Sequence, residues 1–276
     1  MNYVYMLKCI DDTYYIGWTN NIKKRLAAHN STSSGAKYTR SRRPVTLVYC
    51  EGHNDKSSAM KREAELKKLS RIQKINLINS IKCGELLTIY DANENPCGNL
   101  PRNMVHALGL RHHVCHLWLI EEKNGVIGMW LQQRGKDRPL NPSMYDLAAT
   151  GHIDPDETPL NAALREASEE IGIRFNENNV AILGTTEQSY PRPDGGFDDE
   201  LVHAFAVRVD NEPNFNIGLE VERMVWISFS EFAKLERGAE FAQTSAGLIK
   251  ASEVCCIGKG EWQAFEKHLK FNEKTC

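Results

Sequence analysis

Residues 151–173 read Gly-His-Ile-Asp-Pro-Asp-Glu-Thr-Pro-Leu-Asn-Ala-Ala-Leu-Arg-Glu-Ala-Ser-Glu-Glu-Ile-Gly-Ile, and this stretch decides the fold of the larger part of the chain. Pro159 suits a first helical position, Leu164, Ala167 and Ile171 recur at helical spacing, and Gly172 suits a left-handed C-cap. That apolar stripe is expected to face a core. Glu166, Glu169 and Glu170 stand at i, i+3 and i+4, so their carboxylates are expected to converge on the opposite face, where hard oxygen ligands suit Mg²⁺ or Mn²⁺. Gly151 lets the preceding loop turn back against the helix, Glu157 could add a carboxylate from that loop, and Arg165 could clamp Glu169 across one turn. A divalent ion held there would carry substrate phosphates, which points to chemistry on a diphosphate.

An Arg-Glu-x-x-Glu-Glu run by itself describes a solvated helix face. The full spacing says more: Gly, five residues, Glu, seven residues, then Arg-Glu-apolar-x-Glu-Glu-x-Gly-apolar. It resembles the Nudix box at every fixed position. The resemblance implies hydrolysis of a nucleoside diphosphate linked to another moiety. Glu166, Glu169 and Glu170 would bind metal, and one of the last two would activate water. Leu87 to Asp91, Leu110 to Leu119, Leu131 to Arg134 and Asp146 to His152 are further similar to one Nudix branch, that of isopentenyl-diphosphate isomerase and its hydrolase relatives. The isomerases need a cysteine between the Gln-Gln-Arg strand and the box, and residues 135–145 contain none. Hydrolysis is therefore expected, with isomerisation as an alternative. His112 falls where the isomerases keep a metal-binding histidine. A histidine opening an apolar strand is more often structural, so it is not counted among the ligands.

Charge divides the chain. Residues 1–82 carry 16 Lys+Arg against 6 Asp+Glu, a net of +10, and residues 83–276 carry the remaining 18 against 30, a net of −12. A basic module seeks polyanions such as DNA, whereas an acidic one with a carboxylate cluster suits a small metal-bound substrate.

In the basic part, Tyr3 to Leu7 alternates as a strand, Asp11-Asp12-Thr13 supplies a turn, and Tyr14 to Trp18 returns as a second strand. The hairpin brings Tyr5 near Tyr15. Asn20-Asn21 then caps a helix from Ile22 to Asn30, on which Arg25 and His29 share a face. Lys61 to Leu69 reads as a second basic helix with two acids. These elements resemble the GIY-YIG nuclease domain, in particular its small Slx1-like branch, over about residues 2–78. Tyr3-Val4-Tyr5 and Tyr15-Ile16-Gly17 match the two naming motifs, the first with a variant initial letter. Arg25 to His29, Gly35 to Arg40, Arg43 to Tyr49 and Ala59 to Ala64 match further on. By position the resemblance implies that Glu63 holds one Mg²⁺ and Arg25 neutralises the scissile phosphate. Tyr5, Tyr15 and His29 would position or deprotonate water, and Tyr38 would help place the phosphate. Free tyrosine is too weak an acid to act as a base near neutrality, and the surrounding Arg and Lys are expected to lower its pKa. The asparagine that many members carry on a later helix could be Asn76 or be absent.

With 41% apolar and 25% charged residues, 276 residues make an ordinary soluble composition for two domains. No signal-peptide pattern opens the chain, and no apolar run approaches the ~20 residues that span a bilayer, so a cytoplasmic protein without membrane contact is expected. Eight cysteines form no Cys-x-x-Cys pair, which argues against a zinc knuckle or a disulfide framework.

The expected class is α+β: a small GIY-YIG α/β domain over residues 1–82, then a Nudix α/β/α sandwich over 86–276 with closing C-terminal helices. The boundary is expected within Ser80 to Glu85, and the Nudix core over about 86–230. Residues 180–184, 201–207 and 224–227 read as strands. Pro191 to Glu200 reads as a polar loop able to contact the leaving moiety, and Ser31 to Gly35 as a loop over the nuclease cleft. Glu220 matches a carboxylate that some relatives keep beside the metals, although a loop glutamate faces solvent by default. Phe232, Leu235, Phe241, Leu248, Trp262, Phe265 and Leu269 mark closing helices over 230–270 that could also form a homodimer contact. The expected protein is a two-domain hydrolase that cleaves structured DNA and an organic diphosphate. One alternative keeps the Nudix chemistry and makes the basic domain a non-cleaving nucleic-acid binder.

Overall fold

The computed structural model describes residues 1–31, 34–81, 84–193 and 195–269. The chain divides into two compact units, Met1–His112 with Ser189–Asp199, and His113–Gln188 with Glu200–Cys276. Lys82 and Cys83 of the expected boundary, Thr32 and Ser33 of the expected cleft loop, and Asp194 lie outside the described residues.

In the first unit, β1 (Asn2–Cys9) and β2 (Tyr14–Thr19) form the hairpin that the alternation predicts, and β3 (Val45–His53) adds on the other side of β1. Both pairings are antiparallel, with Tyr5 opposite Gly17 and Cys50. α1 (Ile22–Ser31) starts where Asn21 Oδ1 accepts from Lys24 N at 2.8 Å. α2 (Lys37–Arg40), α3 (Lys56–Lys68) and α4 (Arg71–Ile81) follow, with Asp55 capping α3 through Ser58 N at 2.8 Å. One face of the sheet packs Tyr5, Leu7, Leu47 and α1 against β4 (Leu86–Tyr90), β5 (Pro96–Pro101) and α5 (Arg102–Leu108). The other face packs Val4, Met6, Ile16 and Tyr49 against Ala59, Leu66 and Ile78.

The second unit is built on β7 (Val126–Arg134), β8 (Tyr145–Leu147), β9 (Ala149–His152), β12 (Val221–Ser228) and most of β6 (Arg111–Lys123), β10 (Val180–Pro191) and β11 (Phe197–Val209), whose residues 111–112, 189–191 and 197–199 belong to the first unit. Its strand order runs β10-β11-β6-β7-β12-β13-β14, with β8 on β7 and β9 on β6; β13 (Phe241–Thr244) and β14 (Gly247–Lys250) form the last hairpin. α6 (Pro159–Glu170) begins at its proline behind a Thr158 cap, and Gly172 follows at φ +71°. It covers one sheet face through Ala162, Ala163, Ala167 and Ile171 against Cys115, Leu117 and Leu119. α7 (Phe229–Glu236) and α8 (Glu261–Leu269) cover the other, where Trp118, Met129 and Leu131 meet Phe232, Trp262 and Phe265.

Two expectations fail. Pro191 ends β10 and Phe197 to Glu200 begin β11, so the loop expected over 191–200 shrinks to 192–196. Asp198, Asp199 and Glu200 are buried, and two of them have partners distant in sequence: Asp198 with His106 at 2.7 Å, and Asp199 with Arg111 at 3.3 Å and with Lys23. Between the two closing helices lies the β13–β14 hairpin, on which Phe241 and Leu248 are exposed rather than buried on helices.

Candidate active sites

In the first unit, β1, β2 and α1 bring Tyr5, Tyr15, Arg25 and His29 together. Arg25 Nε donates to the Tyr5 hydroxyl at 3.1 Å, and that hydroxyl lies 2.9 Å from His29 Nε2. His29 Nδ1 meets Thr39 Oγ1 at 2.8 Å, and Thr39 donates its hydroxyl proton to the Ala36 carbonyl at 3.0 Å. This last bond fixes the tautomer. Thr39 has one proton and has given it away, so it must accept from Nδ1–H, leaving Nε2 to accept from Tyr5. The chain therefore runs in one direction, from Arg25 through Tyr5, His29 and Thr39 to a backbone carbonyl. The Tyr15 ring sits 5.0 Å from that of His29 and stacks at 6.2 Å on Tyr38, which lies under the Arg42 guanidinium at 4.2 Å.

Gly17 is what leaves room for this arrangement. A Cβ there would stand 2.6 Å from the Tyr5 hydroxyl oxygen, inside any allowed contact. Glu63, on α3, forms an ion pair with Lys67 at 2.7 Å and acts electrostatically on Tyr5. Asn76 is exposed on α4. Burial pushes the Tyr5 phenol well above its ordinary range and outweighs the lowering by Arg25, contrary to the expectation that nearby cations would ease its ionisation. Burial, with Arg25 and Arg43 adding, pushes His29 down to about 4, so the imidazole stays neutral. Thr39 lies within the matching stretch Gly35 to Arg40, but its bond to His29 is not readable in the sequence, because that partner lies on another helix.

In the second unit, the Nudix-box residues cluster around one guanidinium. Arg165 grips Glu157 through Nε at 3.1 Å and Nη2 at 3.0 Å, and reaches Glu166 at 2.6 Å, Glu169 at 3.3 Å and the His152 carbonyl at 3.0 Å. The three glutamates come together at β9 and Arg165, but they differ in exposure rather than all facing away from the core. Glu170 turns inward with Ala163 and Ala167 and is 6% exposed, whereas the Glu169 side chain is 61% exposed. Glu170 Oε2 accepts from Gln132 Nε2 and Thr150 N, each at 2.9 Å. Gly151 is required by contact: a Cβ there would stand 2.1 Å from Glu166 Oε1. Burial raises Glu166 to about 7 and Glu170 to about 8; each also feels neighbouring carboxylates, Glu169 and Glu220 for the former, Glu166 and Asp146 for the latter. Glu220 itself forms an ion pair with Arg138.

These residues fit a hard divalent cation. Glu170 is a buried oxygen donor and Glu166 a half-buried one, Glu166 raises the energy of the ionised Glu170, and the protein hydrogen bonds described for them fall on one oxygen each. In the first unit, His112 lies with its ring 4.8 Å from that of His106, and its Nδ1 meets the Leu110 carbonyl at 2.9 Å. Ring nitrogens of His106 and His112 come within 4.8 Å of one another, as do those of His112 and the Asp198 carboxylate, so these groups could also serve a metal. His106 and Asp198 escaped the sequence reading, because the strand holding Asp198 was read as a loop.

Comparison with known proteins finds a match in each part of the chain. Residues 1–76 match the GIY-YIG catalytic domain and residues 109–246 the NUDIX domain. A UPF0213 protein of Syntrophus aciditrophicus is 58% identical over 77 residues, 28% of this chain and 88% of its own length. A UPF0213 protein of Clostridium perfringens is 58% identical over 80 residues, 29% of this chain and 85% of its own length. The crystal structure of a MutT protein from Methanosarcina mazei is similar at 17% identity, covering 58% of this chain and 96% of that one, with a TM-score of 0.42. The two matched domains define an enzyme of the hydrolase class, of mixed α+β architecture. The chain belongs to the Nudix family and carries a GIY-YIG nuclease-type catalytic domain at its N-terminal end.

Proposed function

We propose that the Nudix part hydrolyses a nucleoside-diphosphate-type or other organic diphosphate with Mg²⁺ or Mn²⁺, and that the GIY-YIG part cleaves structured DNA. The observation that carries the proposal is the buried Glu170 carboxylate, raised by its neighbour Glu166, which is itself half-buried, beside the solvent-reaching Glu169. Glu166, Glu169 and Glu170 would hold the divalent ion, which when bound neutralises substrate phosphate charge. A bound ion would offset the repulsion between these neighbouring carboxylates. Thr150 N and Gln132 fix the orientation of Glu170, and Arg165 anchors Glu157 and Glu166. The exposure of Glu169 favours it as the carboxylate that takes the proton from attacking water.

In the GIY-YIG part, Glu63 would hold a divalent ion and Arg25 would meet the scissile phosphate. Tyr5 is set to pass its own proton to His29 Nε2 as it takes one from water, the neutral imidazole offering Nε2 as the acceptor. Tyr15 and Tyr38 form a stacked platform beside this chain. The excess of Lys and Arg over residues 1–82 supports DNA as the polymer bound.

The test pairs two assays on the full chain. Phosphate release from nucleoside and prenyl diphosphates, and cleavage of branched, flapped and nicked DNA, are each followed with Mg²⁺. Release of phosphate that Glu170→Gln abolishes, together with DNA cutting that Tyr5→Phe abolishes, is expected. Tight DNA binding without cutting would leave only the Nudix chemistry.

A further inference from the structure

Opposite α6, on the other face of the second unit's sheet, lies a polar cluster that the Nudix box does not include. Glu261, the first residue of α8, is buried, and its carboxylate receives three donors. His116 Nδ1 reaches Oε2 at 2.7 Å, Gln188 Nε2 reaches Oε2 at 3.2 Å, and Trp118 Nε1 reaches Oε1 at 2.9 Å. The amide orientation of Gln188 is fixed by this contact, since the reverse would set two oxygens together. Gln188 is 4% exposed, and its Oε1 has no hydrogen-bond partner among the described residues. The His116 side chain keeps 12% of its surface open, so the cluster reaches the molecular surface.

A latch that only fastened α8 to the sheet would be expected to satisfy its own polar atoms, because an orphaned buried carbonyl is costly. The cluster also adjoins the carboxylate site. His116 is the register partner of Thr150, whose N–H holds Glu170, and Asp146 is the register partner of Gln132, which holds the same carboxylate. Asp146 acts electrostatically on both Glu170 and His116, so one carboxylate influences both groups.

We propose that His116 and Gln188, held in place by Glu261, are specificity-determining residues that hydrogen-bond the non-phosphate moiety of the diphosphate substrate. The inference rests on the hydrolase reading of the Nudix part. A hydrocarbon chain placed there would leave the imidazole and the amide oxygen unanswered, whereas a nucleoside brings donors and acceptors of its own. Sites built to hydrogen-bond a substrate reject analogues that lack the matching group far more strongly than apolar pockets reject an extra one.

The experiment measures kcat/KM for phosphate release from ADP, GDP, CDP, UDP and dimethylallyl diphosphate with Mg²⁺, using the full chain and Gln188→Leu. The best nucleoside diphosphate is expected to exceed dimethylallyl diphosphate by about 100-fold or more. Gln188→Leu is expected to lower the nucleoside value by about 10- to 100-fold, mainly through KM, and to leave dimethylallyl diphosphate unchanged. An unaltered ratio in a folded Gln188→Leu variant would overturn the proposal and make the cluster a fastening for α8. Should that variant fail to fold, a wild-type preference for dimethylallyl diphosphate overturns it equally. Hydrolysis of none of the five would instead count against the Nudix reading itself.

Discussion

The two candidate sites bury polar groups in opposite ways. The Tyr5–His29 site is neutral at its centre and self-satisfied, each donor meeting one acceptor in a chain that ends on a backbone carbonyl. The Glu166–Glu170 site gathers like charges around a single arginine and stays electrostatically strained. The first needs no cation to hold its shape, whereas the second gains stability from any cation that enters. Magnesium should therefore raise the melting temperature of the full chain through the second unit, and Glu166→Gln with Glu170→Gln should remove most of that rise.

The largest expected effect concerns turnover. Glu169→Gln and Glu170→Gln should each lower diphosphate hydrolysis by roughly 10²-fold or more while DNA cutting is unchanged, measured by kcat for the two reactions side by side. Next comes Arg165→Ala, which strips Glu157 and Glu166 of their shared partner. Because that side chain is 29% exposed, a loss of about 2–3 kcal/mol is expected by urea unfolding, partly recovered by Mg²⁺. Gly17→Ala is expected to cost about 1–3 kcal/mol and to displace the Tyr5 hydroxyl, lowering DNA cutting without touching phosphate release.

Much of this was legible in the sequence because it is local. The β1–β2 hairpin, α1 with Arg25 and His29, and α6 from Pro159 to its C-cap glycine all follow from spacing within a few turns of chain. The rest depends on partners far apart. Asp198 and Asp199 read as loop residues because nothing nearby shows that His106 and Arg111 will bury them. Glu170 is placed by spacing on the face opposite the apolar stripe, because Gln132 and Thr150, which draw it inward, belong to other strands. The bonds that Thr39 and Gln188 make are silent for the same reason. Burial likewise overturned the expectation for Tyr5, since local charge density says nothing about how completely a phenol is desolvated.

A smaller effect separates the sites by pH. His29 has a folded pKa of about 4 against an ordinary 6.5, so between those values the unfolded chain binds a proton that the folded chain refuses. The associated stability is complete above about pH 6.5 and is lost as pH falls toward 4. Unfolding midpoints at pH 7 and pH 5 should fall further apart in the wild type than in His29→Gln. Thr39→Val should release the tautomer of His29, visible in its ring ¹⁵N shifts, and slow DNA cutting by about tenfold.

The most direct test of two independent centres is a crossed assay on the full chain, with Tyr5→Phe and Glu170→Gln each measured for DNA cutting and for diphosphate hydrolysis. Each substitution is expected to abolish one reaction and spare the other. Parallel loss of both reactions in either variant would contradict the account.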